Sequence, residues 1–205
     1  MHPEFSFAKR KIEEVKTEFA FACEAELSVI PSMLAQETAV AIKSVSALRA
    51  SSIEGVYTGL EGVLKEVLSV VDDGVSSAGD SWHARLIAQA ADANSQSGRS
   101  AIITADVYAA LDRLRAFRHI ERNVYRHLLR HESVRENFDL MKGVFPTFIQ
   151  QVEEFIEGYR FDERQNDIPN ESAAGEIDRP VAVEPTTEID QNADEASDDV
   201  APRKP

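Results

Sequence analysis

Between Met33 and Val71, the apolar residues Ile53, Val56, Leu60, Val63, Leu64 and Val67 return every three or four positions. That is the repeat of one face of a long α-helix. Such a helix can bury its face only against other secondary structure. Nowhere does the chain alternate with period two, as a half-buried strand would, so the partners must also be helices. The expected fold is all-α: an antiparallel bundle of four to five helices.

The remaining elements follow from local signals. Phe7 to Ile30 reads as a helix ended near Pro31, and Asp72-Asp73-Gly74 closes the long one. Asp80 is placed to cap a short helix through His83, Leu86, Ile87 and Ala91, with Trp82 and His83 anchoring it on the bundle. A polar loop, Asn94 to Ser100, comes next. Thr104 opens another helix, and Ser133-Val-Arg-Glu136 has the form of a capping box for a last one, which runs to about Arg160 and is kinked at Pro146. Gly55, Gly59 and Gly62 look like close-packing positions. Cys23, the single cysteine, rules out an internal disulfide and reads as a buried structural thiol.

Charge is distributed unevenly. From Glu163 to Pro205 there are 12 acids, 4 bases, five prolines and no aromatic residue, so this segment carries -8 of the formal net charge of -14. It cannot bury enough apolar area to offset its ordering entropy. The expected division is a helical domain over 1–162 and a disordered acidic tail over 163–205. That tail is either a solubilising chain or a phosphate mimic competing for a basic cleft. The N-terminus lacks a signal-peptide core and no apolar run reaches the length of a membrane span, so a soluble, cytoplasmic protein is expected.

Against this acidic background stands RLRAFRHIERNVYRHLLRH, Arg113 to His131, with six arginines and three histidines. On a wheel of 100° per residue, Val107, Leu111 and Leu114 form the apolar stripe, and its continuation is Arg118, Arg122 and Tyr125. Arg115, His119 and Arg126 flank it. Unpaired buried guanidinium groups are very costly, so these side chains must meet carboxylates, a cleft or an anionic ligand. Glu61, at the border of the long helix's apolar face, is one candidate partner. His131, beside Glu132, reads as a solvated helix-boundary residue.

Arginine binds phosphate oxygens bidentately and keeps its charge, and histidine moves protons near neutral pH. Together they suffice for RNA cleavage without a metal: a base deprotonates the ribose 2'-hydroxyl, an acid protonates the departing 5'-oxygen, and a cation stabilises the phosphorane. The histidines show no metal-ligand spacing and there is no glycine-rich phosphate loop, so neither metal nor cofactor is expected.

At Arg122-Asn123-Val124-Tyr125-Arg126-His127 the sequence resembles the HEPN superfamily, and specifically its HepT-like toxins, whose motif is Arg-Asn-x-x-x-His-x-Tyr. Leu129 occupies the position of the tyrosine. YTGLEGVLKEVL (57–68), GDSWHARLIAQAA (79–91) and ITADVYAALDRLRAFRH extend the similarity over about Ala47 to Tyr159, and a histidine beside Arg118, here His119, is characteristic of that branch. On a straight helix Arg122 and His127 lie about 140° apart, whereas His119 lies about 60° from Arg122. Arg122 and His127 can share a phosphate only through a helix break or a partner chain.

The resemblance implies a metal-independent endoribonuclease toxin acting as a homodimer on RNA, beside a nucleotidyltransferase-type antitoxin. Arg122 would stabilise the phosphorane, His127 or His119 would carry the proton, and Arg118 would position phosphate. Arg115, Arg126 and Asn123 would bind substrate, and Tyr125 would be the residue open to modification. The alternative is a non-catalytic HEPN scaffold using the same basic cleft for a nucleotide or an acidic partner.

Overall fold

The computed structural model describes residues 3–72, 74, 81–123 and 130–159, with the side chains of 119–123 left aside; the acidic segment 163–205 lies outside them. After a 3-10 turn at Pro3–Phe5, the helices are α1 (Ser6–Glu24), α2 (Ile30–Leu34), α3 (Ala39–Val71), α4 (Trp82–Ala91), α5 (Ala105–Asn123) and α6 (His131–Gly158). Five of these build an all-α antiparallel bundle, with the short α2 joined to α1. Among the described residues, no helix is long and apolar enough to cross a membrane.

The bundle is organised around α3, which packs on each of the other helices. The expected face Ile53, Val56, Leu60, Val63, Leu64 and Val67 is fully buried, and Tyr57 and Leu68 are buried with it. A helix with so broad an apolar surface belongs at the centre of a core. Leu111, Leu114 and Phe117 of α5 and Phe138, Phe148 and Val152 of α6 close the same cluster. The glycine expectation holds at Gly59 where α1 crosses: a Cβ there would stand 2.5 Å from Val15 Cγ2, whereas one on Gly55 would meet only the movable end of Glu18, 2.6 Å from its Oε1. Gly62 meets only ordinary contact.

Several boundaries differ from the sequence reading, each for a physical reason. Pro31 does not end the first helix. A π-type turn, Ala25–Val29, precedes it, with Ile30 N–H bonding the Ala25 carbonyl, and Pro31 falls at the start of α2, where its missing N–H matters least. The long helix begins at Ala39, not Met33. Glu37 takes φ of 54°, and the Thr38 hydroxyl oxygen caps by accepting from Ala41 N–H at 3.1 Å. Helix α6 starts at His131, so Ser133 lies inside it and is not its cap. His131 is partly buried, its Nδ1 2.9 Å from Ser46 Oγ on α3, so it is not a solvated boundary residue. Pro146 sits within α6 on its exposed side, where water can satisfy the carbonyl it frees.

Candidate functional site

Helix α5 delivers the arginine run to the bundle. Thr104 precedes it, exchanging hydrogen bonds with Gln151 of α6: its N–H donates to Oε1 at 3.0 Å and its Oγ1 accepts from Nε2 at 3.1 Å. From this fixed start Val107, Leu111 and Leu114 turn inward, and the same stripe carries Arg118 into the core edge.

There Arg118 meets Glu61. Its Nη1 donates to Glu61 Oε2 at 2.9 Å, with side-chain exposures of 13% and 5%. The other oxygen, Oε1, lies 2.6 Å from His83 Nδ1 on α4. Arg118 also sits over the Tyr57 ring, 5.7 Å from its centroid, where a cation is attracted by the π face. Burial, then the Glu61 charge, pushes the Tyr57 phenol well above its ordinary range, so the hydroxyl stays neutral. Its oxygen lies near the Glu61 carboxylate without a hydrogen bond of normal geometry, and Arg118 Nε has no hydrogen-bond partner. One buried carboxylate thus joins α3, α4 and α5, and polar capacity is left over around it.

Arg115 and Arg113 of the same run also face carboxylates. Arg115 Nε bonds Asp112 Oδ1 at 2.8 Å, and Arg113 makes an exposed 3.4 Å pair with Glu136. Arg122, Asn123 and His119 belong to α5, but their side chains are outside the described set; Tyr125, Arg126, His127 and Leu129 lie outside the described residues altogether. The structure therefore brings together Arg118, Glu61, His83 and Tyr57. Beside them an open groove of about 630 Å3 runs between α1 and α3, lined by Gly55, Gly59, Gly62 and Arg118 among others.

Sequence reasoning found Glu61 as a partner but treated His83 only as an anchor and passed over Tyr57. The anchoring is real, since His83 Nδ1 lies 2.6 Å from Glu61 Oε1 on α3; the neighbouring Trp82 ring lies tilted against His83, with centroids 3.7 Å apart. The signal for Tyr57 was its place one helical turn before Glu61. Cys23 is only partly buried, and that burial raises its thiol pKa, which disfavours a nucleophilic thiolate.

A second buried pair was missed. Arg99 and Asp72, with side chains 1% exposed each, meet at 2.5 Å between Nη2 and Oδ2. Gln89 and Asn94 also donate to Asp72, and Arg99 donates to the carbonyls of Gln89, Asp92 and Ser100.

The fold and this centre define a class: an all-helical bundle whose longest helix buries a carboxylate between an arginine and a histidine. Residues 48–159, more than half of the chain, match the family described as HepT-like protein. The chain belongs to the HepT-like family and has its HEPN-type scaffold. No curated protein and no solved structure matches it.

Proposed function

We propose that this HepT-like protein is a metal-independent endoribonuclease toxin of a toxin–antitoxin pair. It acts in the cytoplasm as a homodimer that binds RNA in a basic Arg/His cleft formed at the dimer interface. The observation that carries the reading is the family match, because it spans Arg122-Asn-x-x-x-His127 within a HEPN-type scaffold. Arg122 stabilises the phosphorane formed when the 2'-oxygen attacks phosphorus, and His127 or His119 carries a proton. Arg118, anchored on Glu61, adds its charge to phosphate positioning, while Arg115, Arg126 and Asn123 hold the substrate. A nucleotidyltransferase partner would modify Tyr125, which intact-mass analysis after co-expression would map; addition at Tyr57, Tyr108 or Tyr159 would exclude that target. The deciding experiment is cleavage of RNA in EDTA by wild type, Arg122→Ala, His119→Ala and His127→Ala. Loss of a proton-transfer group should slow cleavage by about 100-fold or more. Cleavage unaffected by all three substitutions would dismiss the site.

One observation favours a second reading, a non-catalytic HEPN scaffold that binds a nucleotide or acidic protein: Leu129 occupies the place of the motif tyrosine. A preparation that binds RNA or nucleotide but cleaves nothing, with affinity dependent on Arg122, is the outcome that reading requires.

A further inference from the structure

An ionised carboxylate can only accept hydrogen bonds. Both oxygens of Glu61 are engaged, Oε2 by Arg118 and Oε1 by His83 Nδ1. Nδ1 must therefore carry the ring proton, and in the neutral imidazole this leaves the lone pair on Nε2. Among the described residues nothing bonds that second nitrogen. The side chain is 26% exposed, and the Trp82 ring lies tilted against it with centroids 3.7 Å apart. Around it stand Glu61 in direct contact, Arg118 on the far oxygen, the neutral Tyr57, and Arg115, whose charge also reaches Tyr57.

We propose that His83 is a further catalytic residue of the site, with Glu61 as its positioning residue. The assignment rests on the ribonuclease reading. His83 Nε2 takes the proton of the ribose 2'-hydroxyl as the 2'-oxygen bonds to phosphorus; the bond from phosphorus to the 5'-oxygen breaks, and that oxygen receives a proton from the motif histidine. The products are a 2',3'-cyclic phosphate and a 5'-hydroxyl, and solvent returns both histidines to their starting states. Glu61 stabilises the imidazolium that forms, as a carboxylate behind a histidine base does. Two proton transfers need two groups, and this one is already assembled within a single chain.

The test uses the full-length protein in EDTA. His83→Asn keeps a donor where Nδ1 sits, so Glu61 remains paired, but it removes Nε2. His83→Ala opens space for added imidazole. Both should slow cleavage by about 100-fold or more without weakening RNA binding, and imidazole should restore rate to His83→Ala alone. Nitrogen-15 NMR should find the Nδ1–H tautomer at His83 in wild type and its loss in Glu61→Gln. His83→Asn cleaving at the wild-type rate while Arg122→Ala is inactive would overturn the role of His83 and leave the ribonuclease reading standing; so would an Nε2–H tautomer in a wild type that cleaves. A wild type that cleaves no RNA would overturn both.

Discussion

Each of two buried arginine–carboxylate pairs ties α3 to a neighbouring segment, yet they are built differently. At Asp72–Arg99 the guanidinium and carboxylate bond each other, side-chain amides and three backbone carbonyls, and both side chains are sealed from solvent. At Glu61–Arg118 one arginine nitrogen has no partner, a tyrosine hydroxyl makes no hydrogen bond of normal geometry, and the histidine is partly exposed. A saturated centre holds a loop in place. An unsaturated one keeps capacity for something else, and buried polar atoms left unpaired in a native fold point to function more than to stability.

The sharpest way to break the comparison is to remove an arginine from each centre. Arg99→Ala strands Asp72 among groups that cannot neutralise it and should cost about 3–5 kcal/mol by urea unfolding. Arg118→Ala leaves Glu61 with His83 and an open groove alongside, and should cost about 1–3 kcal/mol. The order should reverse for RNA cleavage, where Arg118→Ala is the more damaging. Equal stability losses would mean that saturation does not separate the two centres.

Acid provides the next test. Burial raises the pKa of Asp72, but hydrogen bonds from Arg99, Gln89 and Asn94 and the Arg99 charge outweigh it and hold the group at about 2, against an ordinary 3.8. A carboxylate with a depressed folded pKa contributes stability that is complete above about pH 4 and is lost as pH falls toward 2. The contribution is at most about 2.5 kcal/mol. Asp72→Asn should flatten that part of the stability curve, and an unchanged slope between pH 4 and 2 would remove Asp72 as its source.

What the sequence could reveal follows the same division. The apolar face of α3 was legible because it is periodic, Arg118 because it continues the apolar stripe of α5, and Glu61 because it borders the apolar face of α3. His83 was not legible as part of that centre. It lies 22 residues from Glu61, and only the packing of α4 on α3 brings it there. Asp72 and Arg99 read as punctuation around a polar loop, since nothing local marks two loop residues as partners. The Ser133 capping box failed for a related reason. A local pattern was overridden by the contact of His131 with Ser46, 85 residues away.

The smallest effect is the most discriminating. The Tyr57 hydroxyl is buried beside the Glu61 carboxylate and makes no hydrogen bond of normal geometry, so most of its desolvation is a cost borne by the folded state. Tyr57→Phe removes that cost, keeps the ring beneath Arg118 and leaves no other group unpaired. The change in stability should lie within about 1 kcal/mol of wild type, with stabilisation as acceptable an outcome as loss. By contrast, removing the hydroxyl of a bonded tyrosine would leave its partner stranded. A loss well beyond that range would show that the hydroxyl is bonded in solution, which would make the Glu61 centre as saturated as Asp72–Arg99 and erase the difference between them.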